Sequence, residues 1–319
     1  MKQGKLTDDK LRQIVFSHIH SFRSEVIVGA STGEDCAALK IDGLSVLSTD
    51  PITAASAGAG ALAAHVSVND VASAGAEPVA MLVTVLAPPS AEEEDISRAI
   101  KELADTAKSL NVEIVGGHTE VTDAVTRLVL STVVIGSASK EKFIRTGGGK
   151  AGDALVLAGS AAKEGASIIA ADMRERAEAV IGGEAAEKLA NGTDLSVLAA
   201  ARIASEYGAH AMHDVTEGGV LGAVWEMATA SGTGASIDTR LVPIEDVIRK
   251  LADGLHINPL RLMSSGCLLV AVPDGEALAA ALKEAGIVSA VIGKLTEDGI
   301  ISEKGGIEPP EVDELYKLL

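Results

Sequence analysis

The segment Ser48–Pro78 reads STDPITAASAGAGALAAHVSVNDVASAGAEP and decides how the rest of the chain is interpreted. Between Asp50 and Glu77 its only formally charged side chain is that of Asp70, in a chain whose charged content is 23%. A helix of Ala, Gly, Val and Ser has no polar face, so we expect it to be buried almost all round. A carboxylate in such a helix needs a metal ion, a cation or several hydrogen bonds. The segment therefore predicts a buried helix and two carboxylates, Asp50 and Asp70, held at one site.

Composition indicates the fold class. A chain of 319 residues suggests two domains of roughly 150 residues each. The hydrophobic content is 47% while Phe, Trp and Tyr together make 2%, which predicts a core of Ala, Val, Ile and Leu. Aliphatic strands covered on both faces are typical of α/β proteins. We therefore expect an α/β or α+β fold.

Charge and cysteine content exclude several classes of protein. The net charge of −18 argues against nucleic acid, because binding to phosphates depends on Lys and Arg. Cys36 and Cys267 are the only cysteines, so no disulfide framework is expected and a reducing compartment is favoured. The uncharged run 51–69 is long enough for a membrane span, yet it is rich in Ala, Gly and Ser and contains His65 and Asn69. With no apolar leader at the N-terminus, we expect a cytoplasmic protein without a membrane partner.

The first half of the chain predicts alternating strands and helices. A hairpin is expected around Asp42-Gly43, because apolar runs flank this turn signal. Thr7 is the expected N-cap of a helix that runs to about His20, and Ser90 with Glu93 fits a capping box for a helix that runs to about Leu110. The expected strands are Glu25–Val28, Ala37–Ile41, Leu44–Ser48, Val79–Leu86, Val112–Val115 and Thr126–Ile135. This order predicts a mixed sheet in the first domain.

The domain boundary is expected at Arg145–Gly152, where glycines cluster and periodicity is lost. The predicted domains are residues 1–145 and 152–319. In the second, strands and helices alternate again, and the sequence HDVTEGG (213–219) opens an apolar helix over Val220–Ala228. The second domain is therefore predicted to be another α/β unit.

The residues with chemical potential are acids beside small residues and two glycine pairs. Carboxylates are the ligands that Mg²⁺ takes beside a nucleotide triphosphate, and the candidates are Glu34, Asp35, Asp50, Asp70 and Asp214. Gly116-Gly117 and Gly218-Gly219 would let backbone N–H groups approach phosphates, the second pair at a helix N-terminus. A Walker A motif is absent, since Gly147-Gly148-Gly149-Lys150 is followed by Ala151 and lacks the upstream glycine. Any nucleotide site therefore uses another scaffold.

As an ordered set, GEDCAAL (33–39), LSTDP (47–51), VSVNDVASAGAEP (66–78), GGHTE (116–120), HDVTEGG (213–219) and SSGCLLVAV (264–272) resemble the PurM-like superfamily of aminoimidazole ribonucleotide (AIR) synthases. That superfamily includes thiamine-monophosphate kinase, selenophosphate synthetase and the hydrogenase maturation factor HypE. The resemblance covers about residues 25–300, and the central segment is most similar to HypE-like, AIR synthase-related proteins.

The resemblance implies an N-terminal AIR synthase domain, a C-terminal α/β domain and a homodimer whose N-terminal strands build a shared barrel. It implies ATP and Mg²⁺ as cofactors, a small-molecule acceptor, and a maturation protein as a further partner. The implied metal ligands are Asp35, Asp50 and Asp70. Asn69, Gly116, Gly117, Thr119 and Glu120 would lie at the nucleotide, with Gly116–Thr119 as a loop near the phosphates. The implied catalytic residues are Asp70, Asp214 and His118.

Departures from the family pattern leave the reaction open. HypE carries a terminal Cys on a flexible tail, whereas no Cys follows Cys267 here. Selenophosphate synthetase uses an N-terminal Cys or selenocysteine and a Lys in a glycine-rich segment that residues 1–23 do not offer. His118 resembles selenophosphate synthetase at a position where the kinase places an acid, and Glu120 either replaces that acid or caps a turn. The hypotheses are a HypE-like enzyme that phosphorylates or dehydrates an acceptor, a kinase of the thiamine-monophosphate type, and a non-catalytic ATP-binding partner protein.

Overall fold

The computed structural model describes residues 4–31, 36–53, 58–139, 143–191 and 194–318. The chain forms two compact units. The first comprises Met1–Val71 and Ala76–Glu141, and the second Ala72–Gly75 and Lys142–Leu319. Each unit combines helices with a mixed sheet, which confirms the α/β expectation. The predicted domain limits, 1–145 and 152–319, stay predictions.

The first unit is built around a five-stranded sheet with the strand order β1-β6-β5-β7-β4. Strands β5 and β6 are parallel, whereas β7 runs antiparallel to both β5 and β4. A short sheet of β2 and β3 stands apart from it. The elements in order are β1 Gly4–Lys5, α1 Asp8–Leu11, β2 Val26–Val28, β3 Ala38–Leu39, β4 Leu44–Ile52, α2 Ala59–Ser73, β5 Glu77–Ala87, α3 Glu93–Ser109, β6 Glu113–Val121 and β7 Val129–Ala138.

Helix α2 is the buried helix that the sequence predicts. It has 15 residues, none of them exposed, and Ala64, Val68 and Val71 are completely buried. Helices α2 and α3 contribute to one hydrophobic core together with one face of the large sheet. Burial on all sides therefore requires a helix with almost no charge, and α2 meets that requirement.

Three local expectations in the first unit are wrong. The hairpin at Asp42-Gly43 does not form, because β3 pairs with β2 and β4 pairs with β7. The capping box of α3 uses Glu92 and Asp95 rather than Ser90 and Glu93. The helix predicted to run from Thr7 to about His20 ends earlier, as α1 followed by a π-helical segment to Phe16. In the first two cases distant strand pairing or a neighbouring acid overrides the local pattern.

The sequence GGHTE forms part of strand β6 and not the loop predicted for Gly116–Thr119. Pairing with β5 continues through it, with Gly117 opposite Val83 and His118 opposite Thr84. Gly117 has φ +152°, and a Cβ there would lie 1.9 Å from the carbonyl oxygen of Val83. The glycine therefore permits close strand pairing at this position.

The second unit has a seven-stranded sheet with the order β14-β13-β10-β12-β8-β11-β9. Residues of β8 and β11 alternate between a core that contains α8 and another that contains α7 and α10. The elements are β8 Ala154–Ala158, α4 Lys163–Asp172, α5 Arg174–Ile181, α6 Gly183–Ala190, α7 Leu198–Glu206, β9 Ala211–Asp214, α8 Gly219–Ser231, β10 Gly234–Ile237, α9 Asp246–Leu255, β11 Leu268–Val272, α10 Gly275–Glu284, β12 Ser289–Thr296, β13 Ile300–Ser302 and β14 Gly305–Gly306. Strands covered on both faces explain the aliphatic runs of this half. Among the helices in the described ranges, none has both the length and the apolar character that a membrane span requires.

Candidate functional site

Strand β4 delivers Asp50 to the face of the sheet on which α2 lies. Its residues alternate: Leu44, Val46, Ser48 and Asp50 are half-buried, while Ser45, Leu47, Thr49 and Pro51 are exposed. The period of two is that of a strand with one covered face. Ser48 and Asp50 therefore point to the same side, toward the helix.

Hydrogen bonds join β4 and α2 at two neighbouring points. The Ser48 hydroxyl donates a short hydrogen bond to Oδ2 of Asp70, and Ser67 Oγ lies 3.4 Å from Oδ2 of Asp50. Ser67 and Asp70 are three residues apart and so lie on one side of the helix. The structure thus brings Asp50 and Asp70 to one strand–helix seam, as the sequence predicts. Asn69, next to Asp70, is completely buried.

A buried hydroxyl pair supports this seam from below. Ser67 Oγ lies 2.7 Å from Oγ1 of Thr132, and that Thr132 hydroxyl donates to the carbonyl oxygen of Ala63 at 3.2 Å. Each hydroxyl carries one proton, so Ser67 donates to Asp50 when Thr132 closes the 2.7 Å contact, and to Thr132 when the Thr132 proton is given to Ala63. Sequence reasoning missed Ser48, Ser67 and Thr132. The usable signal was spacing, since Ser48 lies two residues from Asp50 on a strand and Ser67 three from Asp70 on a helix.

The side chains that meet at this seam carry oxygen atoms, the ligands that a hard cation prefers. Asp35, the third predicted ligand, lies outside the described residues. Within the described ranges, no group of three or more His, Cys, Asp or Glu side chains is placed to hold a metal ion. Mg²⁺ commonly takes one or two carboxylates and completes its coordination with water and phosphate oxygens. Asp50 and Asp70 therefore fit a shared Mg²⁺–nucleotide site, although their role as ligands stays a prediction.

The GGHTE residues lie away from this seam. Asp50 pairs with Thr132, which pairs with Val83, which in turn pairs with Gly117, so these residues lie in one row across the sheet. His118 pairs with Thr84 in the next row and therefore belongs to the opposite face. Three strand spacings, about 14 Å, separate β4 from β6. The half-exposed His118 Nε2 lies 3.0 Å from Oε2 of Glu120. The structure therefore does not bring His118 or Glu120 to Asp50 within one chain.

The remaining GGHTE residues follow the same strand. Gly116 lies on the same face of the sheet as His118, and Thr119 is buried on the face that α2 covers. Their predicted contacts with a nucleotide stay predictions, as do those of Gly117.

Asp214 ends strand β9 in the second unit and is buried. Its register partner on β11 is Leu268. The preceding residue, His213, points its Nε2 at Oε2 of Glu226, 3.0 Å away. The predicted catalytic role of Asp214 stays a prediction.

The sequence predicts that the N–H groups of Gly218-Gly219, at the N-terminus of α8, approach phosphates. In the structure both N–H groups donate to acceptors within the chain. The Gly218 N–H donates to Oδ2 of Asp313 at 2.9 Å, and the Gly219 N–H donates to the carbonyl oxygen of Thr216 at 3.2 Å. Asp313 also accepts from the Leu315 N–H at 2.9 Å. A carboxylate from the C-terminal segment therefore occupies the position where a helix N-terminus favours an anion.

Buried acids surround this contact. Burial raises the pKa of Asp313, and burial raises the pKa of Glu164 as well, with the nearby charges of Asp313 and Glu217 adding to the effect. Glu164 accepts a hydrogen bond from the Ser265 N–H at 3.2 Å. Burial and a hydrogen bond to Glu217 raise the pKa of Tyr316 to about 12. Each of these carboxyl groups accepts at least one hydrogen bond within the fold.

Comparison with known proteins covers both units. The N-terminal domain of AIR synthase related protein matches residues 33–138, and its C-terminal domain matches residues 150–305. A putative hydrogenase expression/formation protein of Methanocaldococcus jannaschii is 27% identical over 312 residues, covering 94% of this chain and 91% of the relative. Carbamoyl dehydratase HypE of Escherichia coli (strain K12) is 27% identical over 281 residues, covering 84% and 81%.

Solved structures repeat this pattern at the level of the fold. E. coli HypE superposes with a TM-score of 0.81 at 22% identity, over 98% of this chain and 100% of that one. HypE in complex with ATP gives 0.76 at 20% identity, over 97% and 95%. The HypE–HypF complex gives 0.69 at 20% identity, over 84% and 90%. With both domains matched along most of its length, the chain belongs to the AIR synthase-related family of the PurM-like superfamily, close to HypE.

Proposed function

We propose that this chain is a HypE-like, ATP-dependent enzyme that activates a small acceptor through phosphorylation or dehydration. The observation that carries the proposal is the convergence of Asp50 and Asp70 on the seam between β4 and α2. The relatives named hydrogenase formation protein and carbamoyl dehydratase, and the ATP-bound HypE of the same fold, support it. Asp35, Asn69, Gly116, Gly117, Thr119, Glu120, His118 and Asp214 remain candidates for the nucleotide and the acceptor.

Asp50 and Asp70 would hold Mg²⁺, which neutralises charge on the phosphates of ATP. A serine hydroxyl lies within hydrogen-bond distance of each carboxylate, Ser67 at Asp50 and Ser48 at Asp70. A carboxylate held before the ligand arrives loses little conformational entropy on binding. Positioning and electrostatic stabilisation supply most of the rate in phosphoryl transfer, so preorganised oxygen ligands are the expected contribution of this seam.

The fate of the phosphate decides among the three hypotheses. The test incubates the full chain with Mg-ATP and a panel of small acceptors, following nucleotide hydrolysis and the phosphorus NMR spectrum. Acceptor-dependent turnover that releases free phosphate supports the dehydratase. Transfer of the γ-phosphate to a product supports a kinase. Tight binding of Mg-ATP without turnover across the panel would overturn the proposal in favour of a non-catalytic ATP-binding partner.

We also propose a homodimer and a maturation-protein partner, the latter supported by the HypE–HypF complex. The face of the large sheet opposite α2 carries exposed and half-buried apolar residues on the adjacent strands β4 and β7. Leu47 is 62% exposed there, and Val133 and Ile135 are half-buried beside it. An exposed apolar face is stabilised when another surface buries it, and the same face of a second copy of the chain can do so.

Leu47→Asp is therefore expected to convert a dimer into a monomer, measured by light scattering, because it buries a charge in that face. Ile301→Asp is the matched control, because Ile301 is a strand residue of the second unit and is 48% exposed. This variant should have the same assembly mass by light scattering as the wild-type protein. A monomeric wild-type protein, or a Leu47→Asp variant that stays dimeric, would contradict this interface.

A further inference from the structure

The glycine run that is no Walker A motif ends in a lysine with unusual neighbours. Lys150 is exposed, and its Nζ lies 3.2 Å from Nε2 of His210. The other ring nitrogen, Nδ1, lies 2.9 Å from Oδ2 and 3.0 Å from Oδ1 of Asp153. Carboxylate, imidazole and amine therefore form a chain of three groups within the second unit.

The base of this arrangement is held rigidly. The Lys150 N–H donates to Oδ2 of Asp153 at 2.8 Å, and the Gly149 N–H donates to Oγ of Ser231 at 3.1 Å. A Cβ at Gly148 would lie 2.1 Å from the carbonyl oxygen of His210, so a glycine is needed for this close approach. The lysine backbone is thus fixed against the segment that leads into β9, where His210 precedes the strand.

The hydrogen bonds define the proton positions. The Asp153 side chain is 6% exposed and accepts only, so Nδ1 of His210 must be the protonated ring nitrogen. Nε2 is then left with its lone pair directed at Lys150. A carboxylate that orients a histidine, whose free nitrogen faces a nucleophile, is the arrangement that activates serine in hydrolases.

We propose that Lys150 is a nucleophilic lysine and the preferred site of acylation on this chain, with His210 as its general base and Asp153 as the residue that positions His210. The reagent class is small activated acyl compounds, such as activated esters and mixed anhydrides. The product is an amide that removes the positive charge of Lys150.

The atoms balance without any redox step. Nε2 of His210 takes a proton from the ammonium group of Lys150 and passes it to water. The freed amine attacks the acyl carbon, a C–N bond forms and the C–O bond to the leaving group breaks, so that this group departs as an oxyanion. The second proton lost by the nitrogen follows the same route through Nε2, and Asp153 stabilises the imidazolium that forms each time.

The test treats the full chain with N-hydroxysuccinimidyl acetate, an uncharged reagent, and follows acetylation of each lysine by peptide mass spectrometry. Lys150 is expected to react at least about tenfold faster than Lys304, an exposed lysine of the same unit, because general base catalysis contributes about 10²-fold or more in favourable sites. A Lys150 rate at or below that of Lys304 would overturn the proposal, and this comparison needs no variant.

His210→Asn separates base catalysis from mere exposure. The Asn amide can keep the hydrogen bond to Asp153, while Nε2 is lost. The Lys150 rate should fall to that of Lys304 with the far-ultraviolet circular dichroism unchanged. His213→Gln is the matched control, since it removes a histidine of similar exposure that pairs with Glu226, and the Lys150 rate should not change. A His210→Asn variant that keeps fast Lys150 acetylation would overturn the role of His210, and His210→Gln repeats the test should Asn unfold the chain.

Discussion

Two sites in this molecule combine a carboxylate with a helix rich in small and apolar residues, but their carboxylates make different contacts. In the first unit, Asp50 and Asp70 lie half-buried at a strand–helix seam, each within hydrogen-bond distance of a serine. In the second, Asp313 is buried against the N-terminus of α8 and accepts N–H groups from Gly218 and Leu315. The first pair is half-buried and is the candidate ligand site, whereas the second carboxylate satisfies backbone N–H groups of its own unit. Whether an acid beside small residues can serve a ligand therefore depends on what the fold places around its oxygens.

Cysteine reactivity gives the largest expected contrast between the two units. Burial raises the pKa of Cys267 to about 12, so only about one part in ten thousand of it is thiolate near pH 8. Cys36 is exposed and follows the predicted ligand Asp35. Iodoacetamide followed by mass spectrometry should label Cys36 and leave Cys267 unmodified until the chain is unfolded.

Adding Mg-ATP sharpens that experiment. If Asp35 belongs to the nucleotide site, Mg-ATP should slow labelling of Cys36, while Mg²⁺ with sulfate serves as the control. Rapid labelling of Cys267 in the folded protein would contradict the buried position of that thiol.

Removing the internal anion of the second unit should cost stability without affecting nucleotide binding. Asp313→Ala leaves the Gly218 and Leu315 N–H groups without their acceptor, at a cost of about 1–3 kcal/mol in the free energy of unfolding. Urea denaturation measures that loss. Asp274→Ala, which removes an exposed helix cap that accepts from Ala277, is the control with a smaller loss of about 1 kcal/mol. Weakened Mg-ATP binding in Asp313→Ala would mean that the α8 N-terminus does belong to the nucleotide site.

The buried acid Glu164 should produce a smaller effect that depends on pH. Its pKa is raised above the ordinary value of 4.5, so the folded state holds the proton more tightly than the unfolded chain does. Stability from this group is therefore present at low pH and lost as the pH rises from about 4.5 through the raised value. Glu164→Gln should raise the melting temperature near pH 8 more than near pH 4, since it removes that loss.

The pKa of Glu187 is shifted in the opposite direction to that of Glu164. Hydrogen bonds from Asn191 and Arg174 lower its pKa, so Glu187→Gln should bring no gain at the higher pH. An equal change in the melting temperature of Glu164→Gln at both pH values would show that Glu164 does not titrate differently in the folded state.

Much of the first site could be predicted because its signal is local. A helix whose only charged residue is Asp70 predicts burial and a candidate site. Asp50, near the end of a strand, precedes Asp70 by 20 residues. What could not be predicted depends on distant partners. Strand β6 continues through GGHTE because β5 pairs with it, and β4 leaves its expected hairpin because β7 offers a longer partner.

The second site shows the same limit more sharply. Gly218-Gly219 before an apolar helix signals an anion, and an anion is there, yet it comes from Asp313, 95 residues away. No local pattern separates an internal carboxylate from a bound phosphate, because a helix N-terminus stabilises both by the same N–H groups. In the first unit, Glu113 likewise accepts from Ser21 and from the Phe22 and Arg23 N–H groups, about which the sequence around Glu113 says nothing.

Calorimetric titration of Mg-ATP into wild-type protein and the Asp70→Asn variant tests the central claim most directly, with Asp105→Asn as a control at an exposed surface ion pair. Asp70→Asn keeps the size of the side chain and an oxygen for Ser48, but removes the charge that would hold Mg²⁺. We predict that the wild-type chain binds, that Asp105→Asn binds equally well, and that Asp70→Asn binds at least tenfold more weakly, about 1.4 kcal/mol, with an unchanged melting temperature. Equal affinity in wild type and Asp70→Asn would contradict the assignment of this seam as the Mg-ATP site.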